Sequence, residues 1–221
     1  MADGLLGLKR QRFRDRRDAG RQLARELERY VGRPHLIVLA LPRGGIPVGY
    51  EIARYLAAPF DAMLVRKLGV PGHEELAMGA IASGGTRILN EEVMRSIDID
   101  EAQIAAVAAR EEPELERRER LYRGGASPPD VRDRTVIVVD DGLATGSTMR
   151  AATAAIRARG PKAIVIATPV ASPAACTELE SDADEVVCAL VPEPFLAVGA
   201  WYERFDPPSD EEIKELLGGG R

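Results

Sequence analysis

Asp140 and Asp141 stand side by side after the apolar run Val136–Val139, and a turn of small residues follows: Gly142, Ala144, Thr145, Gly146, Ser147 and Thr148. Paired carboxylates suit two tasks, accepting hydrogen bonds from vicinal hydroxyls and ligating a Mg²⁺ ion. The turn suits a third. Its small residues expose backbone N–H groups, Ser147 and Thr148 add hydroxyl donors, and a helix starting here directs its dipole at an anion. A phosphate held beside a carboxylate pair suggests a sugar phosphate. The flanks indicate which elements hold these groups. Val136, Ile137, Val138 and Val139 are too few and too β-branched for a buried helix, so they predict a central strand of a parallel sheet, covered on both faces. The Ala-rich segment Met149–Ala158 predicts the helix.

Other phosphate loops fit less well. A Walker A loop needs G-x-x-x-x-G-K-[ST], but Gly142 and Gly146 are too close and Ser147 stands where Lys belongs. The dinucleotide pattern G-x-G-x-x-G is absent. An ordinary strand–turn–helix with incidental acids is the plain alternative. A second turn, Pro42-Arg43-Gly44-Gly45, directly follows the apolar run Leu36–Leu41. Its glycines let backbone N–H groups approach an anion, and Arg43 supplies a forked donor. A helix over Ile46–Ala57 and a strand over Asp61–Lys67 complete a βαβ unit, which predicts a right-handed crossover and a parallel sheet. Both turns then lie at C-terminal strand ends, where α/β sheets bind ligands.

The segment VIVVDDGLATGST, Val136–Thr148, resembles the signature of the type I phosphoribosyltransferases: a hydrophobic strand, two acids and a turn close to A-T-G-G-T, with Ser147 for the commoner Gly. The resemblance covers roughly Leu36–Tyr202. It implies an α/β fold, a parallel β-sheet flanked by helices, with a flexible lid ribbon (about 66–90) and a small C-terminal hood (about 191–206), in one domain spanning 1–221. It also implies an enzyme that transfers the 5-phosphoribosyl group of phosphoribosyl pyrophosphate (PRPP) to a nitrogenous base, purine or pyrimidine, with Mg²⁺ and release of pyrophosphate. On that resemblance Asp140 and Asp141 hold the ribose hydroxyls and Mg²⁺. Ala144, Thr145, Gly146, Ser147 and Thr148 hold the 5′-phosphate, and Arg43, Gly44 and Gly45 form a pyrophosphate loop. Arg66 and Lys67, at a strand end before a Gly/Pro loop, resemble the adenine branch, in which such a loop closes over PRPP. Arg43 and Lys67 would neutralise charge on the leaving pyrophosphate, and Phe195, in the hood, would stack on the base. Ala144 stands where the 6-oxopurine branch has a carboxylate, which counts against hypoxanthine or guanine. Some relatives keep the loop and lose catalysis, so a PRPP- or nucleotide-sensing regulatory protein is the alternative.

The composition bounds the remaining possibilities. The 221 residues can bury one sizeable core, and 45% hydrophobic with 29% charged content is that of a soluble globular protein. A net charge of −5 gives no electrostatic reason to expect nucleic acid. No apolar run approaches the ~20 residues of a membrane span, and no signal-peptide core precedes the basic stretch Lys9–Arg17. Cys176 and Cys188 lack metal-ligand spacing and read as buried thiols. A cytoplasmic homodimer is the expectation.

Along the chain, Met1–Gln11 reads as a loosely held N-terminus and Phe13–Tyr30 as a helix whose arginines form a solvated face. Leu68–Met78, with Gly and Pro, reads as a mobile loop. Gly84-Gly85 reads as a hairpin turn between Met78–Ser83 and Thr86–Asn90. Glu91–Ser96 predicts a short helix, and Asp100–Tyr122 a long one that Pro113 kinks or divides, with its charged end exposed. Strands over Ala163–Val170 and Glu185–Leu190 enclose a helix over Pro173–Ser181. Ser209 and Glu212 predict a capping box on a closing helix.

Overall fold

The computed structural model describes residues 12–97 and 99–218, so the expectation for Met1–Gln11 lies outside the described residues. Five strands form a parallel sheet: β1 (Leu36–Ala40), β2 (Phe60–Ala62), β6 (Thr135–Val139), β7 (Ala163–Val170) and β8 (Glu185–Leu190), all but β2 carrying β-branched runs. Their spatial order is β2-β1-β6-β7-β8. The acid-bearing strand β6 is therefore central, as its unbroken apolar run requires. Alternate residues point to opposite faces. Val38, Ala40, Ile137, Val139, Val165 and Ala167 pack with helices α1 (Arg16–Glu26), α2 (Gly45–Leu56) and α7 (Asp210–Gly218). Ile37, Leu39, Val136, Val138, Ile164 and Ile166 pack with α5 (Ser147–Arg157) and α6 (Pro173–Leu179).

The run expected as one strand over Asp61–Lys67 divides instead between two sheets. After β2 the chain leaves the parallel sheet and enters a three-stranded antiparallel ribbon, β3 (Val65–Val70), β4 (His73–Ala82) and β5 (Thr86–Leu89). Arg66 and Lys67 thus lie inside a strand, paired with Ile81 and Ala80, and not at its end. The segment Leu68–Met78, expected as a mobile loop, is mostly strand: Pro71 and Gly72 make a tight turn, Gly72 with φ 78°. Gly and Pro signal the turn correctly, with Val70 paired to His73 across it, but register shifts on either side of Gly69 break the alternation that would mark the strands. Gly84 and Gly85 have φ of 85° and 76°, as the second hairpin requires, and the loop there is Ser83-Gly84-Gly85.

Helices α3 (Glu91–Ser96) and α4 (Glu101–Arg123) border the ribbon, and α5 packs against it as well. Asp100 caps α4 in a reciprocal box with Gln103 and the helix runs unbroken through Pro113. Ile104, Val107, Ala108 and Leu115 bury one stripe of it, and tertiary packing offsets the backbone hydrogen bond that Pro113 cannot make. At the other end Ser209 Oγ accepts from Glu212 N–H at 3.1 Å, the expected N-cap of α7. Cys176 and Cys188 are free and half-buried, not fully buried, against the α5/α6 side of the core. Burial, reinforced by a hydrogen bond with Cys176, raises the Cys188 thiol pKa and keeps it protonated. Among the described residues no helix is long and apolar enough to cross a membrane.

The N-terminus departs from the expected helix over Phe13–Tyr30. Asp15 caps α1 by accepting from Asp18 N–H at 2.9 Å, which starts the helix three residues after Phe13. Phe13 is buried and pairs as an extended residue with Tyr202, its N–H donating to the Trp201 carbonyl at 2.9 Å. The hood segment returns a bond, from Glu203 N–H to the Phe13 carbonyl at 2.8 Å. The first and last thirds of the chain are stitched together beside the central strand.

Candidate functional site

At the end of β6 the chain turns through Gly142–Gly146 and enters α5. Gly146 adopts the left-handed conformation, φ 70°, which a side chain resists, and so aims the first turn of α5 back over the strand end. The turn is pinned to the neighbouring strand end: Leu143 N–H donates to the Val170 carbonyl at 2.9 Å, and Ser172 Oγ to the Ala144 carbonyl at 2.7 Å. Ala144, Thr145, Gly146, Ser147 and Thr148 line a cradle of about 120 Å³ together with Asp140. Thr145 Oγ1 donates to Ser147 Oγ at 3.3 Å, holding two hydroxyls together at the lip. First-turn N–H groups have no intrahelical acceptor, although Ser147 N–H reaches Thr145 Oγ1 at 3.4 Å, and such a helix start has the donors that suit an anion.

Thr148 also walls a second cavity of about 450 Å³, shared with Pro42, Arg66, Lys67, Arg110, Glu111 and Arg118. The structure thus brings together the acid-bearing turn, the Pro42 turn and the ribbon residues Arg66 and Lys67. It adds Arg110, Glu111 and Arg118 from α4, whose charged end carries no local signal that would place it at a site. Arg66 holds the Glu111 carboxylate with Nε at 3.0 Å and Nη2 at 2.5 Å, which ties the ribbon to α4 and partly neutralises Arg66. Lys67, Arg110 and Arg118 add three cations to Arg66; against Glu111 in the lining and Glu114, which Arg118 Nε holds at 2.7 Å, they leave the region net positive, which suits an anion of several charges. Thr148→Val, which removes one hydroxyl and keeps the shape, is expected to weaken inorganic phosphate binding by about 0.5–1.5 kcal/mol, checked by calorimetry.

Arg43 does not line this cavity; its Nη1 lies 3.7 Å from Asp210 Oδ1 at the start of α7. Gly44 and Gly45 are required by close packing. A Cβ on Gly44 would overlap Oδ2 and Cγ of Asp141, and one on Gly45 would come 2.7 Å from the Val139 carbonyl. These glycines let the first turn press against the two acids. Gly142 serves the hood in the same way, since a Cβ there would overlap Val198 Cγ1. At Gly199 an added Cβ would come 2.8 Å from Phe205 Cδ1, so the ring packs closely on that side of the backbone. Phe195 is half-buried against a cluster built on Phe13 and Tyr202.

The two acids differ sharply. Burial, reinforced by the Asp141 charge, raises the Asp140 carboxyl pKa well above the usual carboxylate range, and its Oδ1 accepts from Asp141 N–H at 2.8 Å. Asp141 is held by a residue that sequence reading left on a solvated face: Arg16 donates through Nε to Asp141 Oδ2 at 2.6 Å. Arg16 also donates to the Asp206 carbonyl at 2.7 Å, with its guanidinium 3.9 Å from the Phe205 ring centroid. Its side chain is only 10% exposed. From the other side Tyr202 Oη donates to the Asp141 carbonyl at 2.5 Å. Burial, then the Asp141 charge, raises the Tyr202 pKa, so it remains a donor. One signal pointed to such a partner: two adjacent acids at a buried strand end need a cation nearby.

Residues 13–200 match the family model described as a phosphoribosyl transferase domain. The chain belongs to that family. Two Mycobacterium tuberculosis proteins, from strains CDC 1551 and H37Rv, each provisionally named a phosphoribosyl transferase, are 44% identical over 205 residues. The match takes in 93% of this chain and 46% of theirs, so the chain spans about half the length of the curated relatives it matches. The crystal structure of TT1426 from Thermus thermophilus is 42% identical, with a TM-score of 0.87 over 93% of this chain and 97% of that one. The AQ2163 protein of Aquifex aeolicus, 13% identical with a TM-score of 0.51 over 91% of this chain, shares the fold alone. The sequence expectations of a type I phosphoribosyltransferase, with a parallel sheet flanked by helices, hold for this family member.

Proposed function

We propose that this domain transfers the 5-phosphoribosyl group of PRPP to a nitrogenous base and releases pyrophosphate. One observation carries the reading: a phosphate-sized cradle beside two acids shares Thr148 with a larger, net-positive cavity. PRPP carries the matching groups in the matching order, a 5′-phosphate, a diol and a pyrophosphate. In the transfer, the bond from ribose C1 to the pyrophosphate oxygen breaks and one from C1 to a base nitrogen forms. Positive charge grows on the sugar and negative charge on the leaving group, so stabilisation belongs on the pyrophosphate side. Lys67, Arg118 and Arg110 supply it in this reading, while Arg66 fixes the ribbon against α4. The cradle of Ala144–Thr148 anchors the far end of the sugar, and Asp140 and Asp141 accept from its hydroxyls. Arg43, facing Asp210, would have to turn from that partner to reach the pyrophosphate.

Mg²⁺ fits this donor set as a companion of the substrate. Among the described residues no three His, Cys, Asp or Glu side chains cluster to hold an ion. Asp140, with the remaining oxygen of Asp141, offers the one or two carboxylates that Mg²⁺ takes when phosphate oxygens and waters complete its shell. Bound there, the ion would neutralise charge on the pyrophosphate. The base would be held by the hood around Phe195, and a homodimer is the working assembly for these experiments.

The test is thermal unfolding with PRPP, with and without Mg²⁺, followed by pyrophosphate release with a panel of purines, pyrimidines and related heterocycles. A ligand bound by the folded state raises melting, so PRPP with Mg²⁺ is expected to raise it and at least one base to release pyrophosphate. Absence of any rise at saturating PRPP overturns the reading. A rise without release for any base supports a PRPP sensor in place of an enzyme.

A further inference from the structure

We propose that Arg16 is a positioning residue for the sugar phosphate: it acts through Asp141, fixing that carboxylate against the ribose site from the N-terminal helix. The inference rests on the sugar phosphate reading of the cradle and goes beyond it, since nothing in the signature Val136–Thr148 involves Arg16.

Asp141 alone would be a poorly held group. Its neighbour Asp140 repels it, and both sit at a buried strand end. Arg16 reverses this by placing Nε 2.6 Å from Oδ2, with the pair almost closed to solvent at 10% and 15% exposure. The guanidinium is itself immobilised. Its Nη1 donates to the Asp206 carbonyl at 2.7 Å, and its Cζ lies 3.9 Å from the Phe205 ring centroid. Gly44 closes the other side of the carboxylate, with no room for a Cβ. Tyr202 Oη holds the Asp141 carbonyl at 2.5 Å, so backbone and side chain are both fixed. Oδ1 is left with capacity to accept from a hydroxyl. A fork of fixed geometry determines where Oδ1 stands, as a Lys point charge could not.

The anchor has a second consequence. Arg16 follows the Phe13–Tyr202 bridge, and Phe205 and Asp206 follow it on the irregular segment beyond Tyr202. The N-terminal segment and the hood therefore bear on the sugar site together, through one guanidinium. Charge neutralisation alone would not need this arrangement; a cation anywhere nearby would do.

The experiment compares binding of ribose 5-phosphate and of inorganic phosphate by calorimetry in wild type, Arg16→Met, Arg16→Lys, Asp141→Asn and Arg16→Met/Asp141→Asn, with thermal unfolding measured in parallel. Arg16→Met is expected to weaken ribose 5-phosphate about ten- to hundredfold, the size of one charge-assisted hydrogen bond, and to leave phosphate within about twofold. Arg16→Lys should recover only part of the loss. In the Asp141→Asn background the Arg16 substitution should add almost nothing, because a residue acting through Asp141 is coupled to it. Equal losses for the two ligands, or an undiminished Arg16 effect beside Asp141→Asn, overturn the proposal and leave Arg16 a purely structural residue. Should Arg16→Met fail to fold, Arg16→Lys carries the test by the same comparison: a severalfold loss confined to ribose 5-phosphate supports it, and wild-type selectivity overturns it. A wild type that binds phosphate but not ribose 5-phosphate removes the sugar phosphate reading itself, and this assignment with it. A wild type that discriminates while Arg16→Met keeps full discrimination removes only the assignment.

Discussion

Arg123→Met is expected to lower the unfolding free energy by about 3–5 kcal/mol, the cost of breaking a buried charge pair from one side. Arg123 ends α4 with a side chain only 2% exposed. Its Nε lies 3.3 Å from both oxygens of Asp61, on the edge strand β2, and its Nη1 donates to Ser83 Oγ at 2.8 Å. Its Nη2 donates to the Ala62 carbonyl. One guanidinium therefore joins the long helix, the edge of the parallel sheet and the hairpin loop of the ribbon. Met fills similar volume but leaves a carboxylate, a hydroxyl and a carbonyl without their donor, each at a desolvation cost. Urea unfolding checks this through the midpoint, with the slope unchanged if the native surface is unchanged. Arg123→Met/Asp61→Leu should recover much of the loss, since an apolar pair of similar size replaces a buried ion pair at little cost. A loss under about 1 kcal/mol for Arg123→Met would mean that the three elements hold together without this junction.

The same junction shows where sequence reading stops. Strands β1, β6, β7 and β8 were legible because each carries a short β-branched run; the unbroken runs of β1 and β6 also mark their burial, while β8, at the sheet edge, is half-buried throughout. Their neighbours in the sheet follow from the crossover rule, not from any residue. The ribbon was legible only in its second half, where Gly84-Gly85 sits between two matching runs. In the first half, Gly69, Pro71 and Gly72 make Leu68–Met78 look like a loop beyond a strand end at Lys67, because a strand that lines a charged cavity must carry the residues that loops carry. Its partner β4 lies directly across the Pro71-Gly72 turn, with register shifts on either side of Gly69.

The site divides in the same way. The turn Gly142–Thr148 was legible because backbone conformation and chemistry coincide there: small residues make both the curve and the anion cradle. Arg16, Arg110 and Arg118 were not, since an Arg on a helix among acids has the same local appearance whether it meets water or a buried carboxylate. Gly44 and Gly45 were picked out for the close anion approach that glycine allows, and the structure adds a packing cause. Gly44 has φ −65° and ψ −36°, values open to any residue. What it lacks is space.

That last point gives the second large effect. Gly44→Ala is expected to cost about 3 kcal/mol or more of stability, although Ala suits its backbone angles and the start of a helix. The added Cβ would overlap Asp141 Oδ2 and Cγ. A flexible side chain would swing away cheaply, but this carboxylate is fixed by Arg16 at 2.6 Å and can move only by leaving a buried cation unpaired. Ribose 5-phosphate binding should fall with stability, because the displaced group is the one assigned to the sugar. Gly45→Ala is the control of opposite kind. Its Cβ would come 2.7 Å from the Val139 carbonyl and 3.0 Å from Asp140 Cα, which are backbone atoms of the central strand end. No side-chain deletion can relieve that contact. Gly44→Ala/Asp141→Ala should therefore regain much of the stability lost in Gly44→Ala, measured against Asp141→Ala alone, whereas Asp141→Ala should not rescue Gly45→Ala. Failure of the first rescue, with Gly44→Ala as destabilised in the Asp141→Ala background as in wild type, would show that the strain falls on the backbone of the turn and not on the carboxylate that Arg16 holds.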